Sequence, residues 1–346
     1  MIEAHWGEGG VLSVGVEEEL MILDAETLAP AAAVGVLVRG AEELELPGRL
    51  KTELHASVVE LNTGVCEDVD EAISALRELR RAADAVARAN GLRVAAAGSH
   101  PTAPLESLPV VQEERYLTMI RDVGHAARRQ GVNGLHVHVG VDSGDRCWER
   151  LEAVLPWLPV VLALSANSPF ADGAETGMVS NRAPILAELP RSGAPPAFGC
   201  YEGWERWIER LAGLGVVEDY TRVWWDVRPH PRFGTLEIRV PDQPTALERT
   251  ELLVRLVRRL VADAPACDGG PARRGDYAQN RWAAAKDGLD AHLIHPDGDR
   301  YIRARSLAAD LLGEEPPEPE AATQLAVARE RGQAAVTADL VERSLA

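Results

Sequence analysis

The sequence predicts an α+β fold, an antiparallel or mixed sheet with helices packed on one face. Three observations predict it. Short runs with period-two alternation recur along the chain, longer runs with the helical period separate them, and Pro/Gly-rich turns join strands that neighbour in sequence. The strand candidates, in chain order, are 11–23, 58–62, 92–97, 134–141, 222–228 and 235–240. Between the last two lies Pro229-His-Pro-Arg-Phe-Gly234, a connection of hairpin character. The first helix candidate, 68–90, repeats Val69, Ile73, Leu76, Leu79, Ala83 and Val86 on one side; Asp68 is placed to cap its start and Gly91 to end it. A second helix is expected over 113–130, stopped by Gly131. A third spans 245–263 with Leu252, Leu253, Leu256 and Leu260 together. The most apolar tract, 153–166, contains Pro156 and Pro159 and falls short of the ~20 residues that span a bilayer, so it reads as a buried helix.

A chain of 346 residues accommodates one large domain or two smaller ones. No repeat is present. A single catalytic α+β domain over 1–312, followed by a Pro/Glu linker and C-terminal helical appendage over 313–346, is the economical division. The 46% hydrophobic and 26% charged residues suit a globular core. With 54 acidic against 36 basic residues the formal charge is -18, a field that repels a phosphate backbone and excludes nucleic acid as the expected partner. The N-terminus lacks a basic start and an apolar run, so no signal peptide and no membrane association are expected. Cys66, Cys147, Cys200 and Cys267 are scattered without a CxxC pair, as expected of reduced thiols in a cytoplasmic protein.

Reading the strands with a period of two sorts their polar residues. Glu17 and Glu19 share a face, as do Glu60 and Asn62 opposite Val59 and Leu61. His136 and His138 stand opposite Val137 and Val139, Asp226 and Arg228 opposite Val227, and Glu237 and Arg239 opposite Leu236, Ile238 and Val240. Any one such face is ordinarily the wet side of an amphipathic strand. Five together, rich in Glu, His, Asp and Arg and lacking lysine, are costly to assemble unless cations neutralise the carboxylates. Carboxylate-rich donor sets suit Mg²⁺, or Mn²⁺, better than zinc. Hard cations beside arginines occur where nucleotide phosphates are bound and transferred. Neither a G-x-x-x-x-G-K-[ST] loop nor a G-x-G-x-x-G is present, so a triphosphate would be gripped by metals and arginines on the sheet. A metal-dependent hydrolase using the His-x-His pair is the competing reading, with a non-catalytic binding protein as the third.

The sequence resembles glutamate–cysteine ligase family 2, the carboxylate–amine ligases related to glutamine synthetase. The matching stretches include Gly15-Val-Glu-Glu-Glu-Leu20, the run from Glu53-Leu-His to Gly64-Val-Cys66, and Gly98-Ser-His-Pro101. Leu135-His-Val-His-Val-Gly140, Leu164-Ser-Ala-Asn-Ser-Pro169, Arg191-Ser-Gly-Ala-Pro-Pro-Ala-Phe198, Trp225-Asp-Val-Arg-Pro229, Gly234-Thr-Leu-Glu-Ile-Arg-Val240 and Asn280-Arg-Trp282 continue the series over nearly the whole chain. The resemblance implies a funnel-shaped sheet of the glutamine synthetase/guanido kinase type, with helices outside and Mg²⁺, ATP as co-substrate and the amino acid inside. It implies amino-acid and amine substrates, with glutamate activated on its γ-carboxylate and cysteine as one acceptor, and a homodimer. Carried over, the metal ligands would be Glu17, Glu19, Glu53, Glu60, His138 and Glu237, with His136 the alternative to His138. Arg239 would face the transferred phosphoryl group. Arg228 would join it, or, with His136 and Asp226, orient the ligands. Arg182 would hold a substrate carboxylate or phosphate, and Asn62, Asn280 and Arg281 would complete the substrate and nucleotide contacts. Where the family's pattern reads Asn-Arg-Trp-Arg, this chain has Ala283, which bears on substrate identity more than on reaction type.

Overall fold

A computed structural model describes residues 2–265 and 273–345; Cys267 lies outside them. Seven strands form one antiparallel sheet: β1 (Val14–Asp24), β2 (Gly48–Thr52), β3 (Val58–Thr63), β4 (Leu92–Ala95), β5 (Leu135–Gly140), β6 (Val227–His230) and β7 (Thr235–Ile238). Their order is β6-β7-β5-β1-β3-β2, and β4 pairs with the far end of β1. The long β1 is the axis, hydrogen-bonded to β3 on one side and to β5 and then β4 on the other.

One face of the sheet is apolar. Val16, Leu20 and Ile22 of β1 join Val59, Leu61, Val137, Val139, Leu236 and Ile238 in the main core, against Leu76 and Leu79 of the helix Val69–Ala89 and Leu253 and Val257 of the helix Leu247–Asp263. Asp68 caps the first of these helices, its side chain accepting from the Glu71 backbone N–H. The opposite face carries the polar residues. Its far end is closed by a second apolar cluster, in which Met21, Leu23 and Ala95 meet Val336 and Leu340 of the C-terminal helix Ala334–Arg343.

Several boundaries differ from expectation for physical reasons. The strand expected over 222–228 is divided at Asp226: Trp224–Trp225 pairs in parallel with Ser192–Gly193, and β6 begins at Val227 and runs through Pro229; a proline is tolerated because β6 is at the edge of the main sheet, with its missing N–H on the side away from β7. The hairpin to β7 closes through Pro231–Phe233 and Gly234, whose φ of 64° is left-handed. The helix expected over 113–130 is broken at Gly124 (φ 71°), leaving Glu114–Val123 and a short turn, His125–Arg128. Pro156 and Pro159 divide the apolar tract into the end of Gly144–Val154, a 3₁₀ turn and Leu158–Ser165. The residues after the Pro/Glu stretch form two helices, Glu320–Arg331 and Ala334–Arg343. They are tied to the body: the Glu320 carboxylate accepts from the Thr245 and Ala246 backbone N–H groups at the start of Leu247–Asp263, and Gln324 donates to Asn167.

Candidate active site

Strand register brings the polar residues into rows. Glu17 lies opposite Asn62 on β3 and His136 on β5, Glu19 opposite Glu60, and His138 opposite Glu237, which in turn faces Arg228 across the β6–β7 hairpin. On the outer side Lys51 of β2 lies opposite Glu60. Residues distant in sequence become neighbours because antiparallel pairing puts side chains of equal parity on one face.

The first group is Glu17, His138 and Glu237, whose potential ligand atoms all lie within 4.8 Å of one another. Each is held from behind. Asn62 Nδ2 donates to Glu17 Oε1 (2.9 Å), and His136 Nδ1 lies 3.0 Å from Glu17 Oε2. Arg228 Nε donates to Glu237 Oε2 (2.6 Å) while its Nη1 bonds the Thr221 and Val223 carbonyls, and Arg239 also bonds Glu237. His138 pairs Nδ1 with Thr235 Oγ1 (3.0 Å), leaving Nε2 buried without a hydrogen bond. A ring anchored through one nitrogen with the other free is the arrangement of a metal-binding histidine; His136 is anchored on the Glu17 carboxylate itself. Burial pushes Glu17 upward, but the His136 hydrogen bond and the nearby His138 ring, its Nε2 3.7 Å from Glu17 Oε1, outweigh it and hold the carboxyl well below its usual range. Glu237 behaves alike: burial raises it, and Arg228, Arg239 and His138 more than reverse the effect. Burial and the Arg239 charge push His136 down to about 4, so it stays neutral.

The second group is Glu19, Glu53 and Glu60. Here the carboxylates face one another. Burial and then the Glu53 charge raise Glu19 to about 7, against the pull of Arg182 and of the Gly134 N–H, which donates to Glu19 Oε2 (2.5 Å). Burial likewise raises Glu53, and burial followed by the charges of Glu17, Glu53 and Glu19 lifts Glu60 well above the usual carboxylate range, with Lys51 opposing. Raised carboxyls favour the protonated form, and a divalent cation among them would supply the positive charge that lets them ionise together.

Two cavities open on this face. One of about 560 Å³ is lined by Glu17, Lys51, Asn62, His138, Arg232 and Phe233 among others. The other, about 100 Å³, is lined by Glu19, Glu53, His55, His136, Arg182 and Arg239 with an apolar wall of Met119, Val132, Leu186 and Leu189. Arg182 reaches it from the first position of the short helix Arg182–Leu186, its guanidinium bonding the Val240 and Arg239 carbonyls and passing over Gly134, where a Cβ would fall 2.1 Å from Nη2.

Three expected site residues stand apart. Asp226 accepts from Arg281 Nε (2.6 Å) and from Tyr277 Oη (2.6 Å), a buried set that joins the sheet edge to the helix Arg274–Asp287. Asn280 exchanges hydrogen bonds with the Ile294 backbone (2.7 Å each). None of the three lines either cavity. Sequence reasoning gave no role to Lys51 or His55; Lys51 sits on a strand too short to be recognised, and His55 lies between strands, where no period applies.

A sheet face that gathers acids, imidazoles and guanidinium groups around space for a nucleotide suits one class of catalyst, the ATP-dependent carboxylate–amine ligases, and the chain is an enzyme of that class. Residues 13–336 match the glutamate–cysteine ligase family 2, and the chain belongs to that family. It is 40% identical over 312 residues to a glutamate–cysteine ligase of Haloferax volcanii, covering 87% of this chain and 86% of that one. A Rubrobacter xylanophilus protein with the provisional name glutamate–cysteine ligase 2-3 is 38% identical over 313 residues, 90% of this chain and 85% of its own. Among solved structures, glutamate–cysteine ligase of Francisella tularensis, in complex with AMP, superposes with a TM-score of 0.65 at 15% identity, over 97% of this chain and 88% of that one, a likeness of fold. The hydrolase and binding-protein readings are not favoured by this membership. Among the described residues no helix is long and apolar enough to cross a membrane.

Proposed function

We propose that the enzyme uses Mg²⁺-ATP to phosphorylate the γ-carboxylate of glutamate and joins the resulting acyl group to an amine such as cysteine. The observation that carries this is the convergence of Glu17, His138 and Glu237 within 4.8 Å of one another, with the His138 Nε2 left unpaired beside the larger cavity. Glu17, His138 and Glu237, with Glu19, Glu53 and Glu60, would hold Mg²⁺, and the ion would supply neutralisation of charge on the phosphoryl oxygens.

A carboxylate is a poor electrophile at neutral pH, and the chain's own groups address that. The 560 Å³ cavity has nucleotide dimensions and carries Lys51 and Arg232 for phosphate charge. The smaller cavity adjoins Arg239 and is sized for one end of an amino acid. The carboxylate attacks the γ-phosphorus, ADP departs, and the acyl phosphate forms. The amine then attacks the acyl carbon, phosphate leaves and a proton passes to solvent, giving an amide. Arg239 sits where charge develops, and Arg228 and His136 fix Glu237 and Glu17, so little reorganisation accompanies the reaction. A cytoplasmic location and a homodimer belong to the same reading, the latter testable by light scattering.

The test is an ADP-release screen of the full chain with Mg²⁺-ATP, glutamate and a panel of amines including cysteine, followed by product mass. An amide product with stoichiometric ADP is expected. ADP release without amide, or none with any pair, defeats the proposal.

A further inference from the structure

The smaller cavity contains two buried polar groups left without partners. His55 is 2% exposed, and neither ring nitrogen finds a partner at full hydrogen-bond geometry; the Leu108 backbone is a polar neighbour of the ring. Arg182, also 2% exposed, spends its two terminal nitrogens on the Val240 and Arg239 carbonyls and leaves Nε unpaired. Both side chains line the same 100 Å³ space. An imidazole always carries at least one N–H, whatever its tautomer, so this corner offers at least two unmet donors. Unpaired buried donors are costly and uncommon, and two of them around one cavity indicate a ligand that accepts hydrogen bonds.

The shape narrows the ligand. About 100 Å³ has room for roughly three water-sized groups, enough for the end of an amino acid and far too little for a nucleotide. The backbone of His55 is pinned by a bridge to Val110 and by a bond from the Val58 N–H to its carbonyl, so the ring is presented from a fixed position. We infer that His55 is a substrate-binding residue: with Arg182 it receives the α-carboxylate of an amino-acid substrate and makes the enzyme discriminate against amines and acids that lack that group. Resting on the ligase reading, the inference adds a contact and a selectivity to it.

The experiment measures binding to the full chain, in Mg²⁺ and a non-hydrolysable ATP analogue, of glutamate against 4-aminobutyrate and of cysteine against cysteamine. Each pair differs only by the α-carboxylate. Wild-type protein is expected to prefer at least one amino acid over its decarboxylated partner. His55→Leu should shrink that preference about tenfold or more, because a donor to a charged group is lost. His55→Gln, which restores an N–H, should recover part of it, and nucleotide affinity should be unchanged in both. If His55→Leu folds poorly, the comparison of His55→Gln with His55→Met decides the question. Unchanged preference in the leucine or methionine variant overturns the role of His55 while leaving the ligase intact. No binding of either amino acid by the wild type overturns both. Preference for an amino acid other than glutamate corrects the substrate and still tests the residue.

Discussion

Three consecutive glutamates of β1 report on two different environments. Glu18 points to the helix side, where it is wholly buried yet fully satisfied: Arg80 donates to it twice (2.7 Å each), Thr250 Oγ1 donates at 2.7 Å and Gln243 Nε2 at 3.1 Å. Glu17 and Glu19, one residue to either side, point to the open face, where the second group of carboxylates is left with mutual repulsion. The same side chain is compensated by partners of the core on one face, while on the other Glu19 is left against Glu53 and Glu60. Partners drawn from the helix layer tie Glu18 to the fold, and those of Glu17, the Asn62 amide and the His136 ring, stand on the open face itself.

The sharpest break of this comparison is Glu18→Ala. It strands the Arg80 guanidinium and should cost about 3–5 kcal/mol of stability in denaturant unfolding, with kcat of the molecules that stay folded unchanged. On the other face, Glu17→Gln keeps the side-chain shape and removes the charge. It should lower kcat roughly 10²–10³-fold with an unaltered unfolding midpoint; normal turnover in this variant would remove Glu17 from the site.

The pH dependence should follow the open face. The folded Glu19 carboxyl is raised to about 7 against an ordinary value of 4.5, so its contribution to stability is fully present below the ordinary value and is lost as pH rises through the raised one. Without metal, the melting temperature should therefore carry a destabilising contribution from this group between about pH 5 and 7.5. Added Mg²⁺ should raise melting more at the upper pH, and an equal effect at both would argue against binding at these carboxylates. Asn280→Ala deletes the two bonds to Ile294 and should cost about 1–3 kcal/mol without changing the KM for ATP. Gly134→Ala sets a methyl against the buried Arg182 guanidinium, which the Val240 and Arg239 carbonyls hold in place, so it should lower the melting temperature and, by displacing the guanidinium, raise the KM for the amino acid, read by steady-state kinetics.

Much of this site was legible in the sequence because alternation in a strand assigns faces without knowledge of partners. His136 and His138, or Glu60 and Asn62, declare their common side by spacing alone. What alternation cannot give is whether a face is satisfied. Glu18 and Arg80 are 62 residues apart, and nothing in either local pattern announces their pairing. Asp226 and Arg281 illustrate the same limit from the opposite direction, since their separation of 55 residues hides a buried pairing that neither local pattern announces. The short strand β2 and the break at Gly124 escaped because five residues, or one glycine inside a helical pattern, carry too little periodic signal.

The triplet Glu17-Glu18-Glu19 also has a mechanical consequence. Three identical side chains in a row cannot by themselves tell the sheet which of them should be where, since sliding β1 by one place still offers a carboxylate to each side. Alignment must be read from features that are not repeated. Two side chains supply them: Thr63 Oγ1 takes the Val16 N–H and Gln243 Oε1 takes the Glu19 N–H, both at 3.0 Å. They act as the index marks of a vernier, fixing where the strand stops.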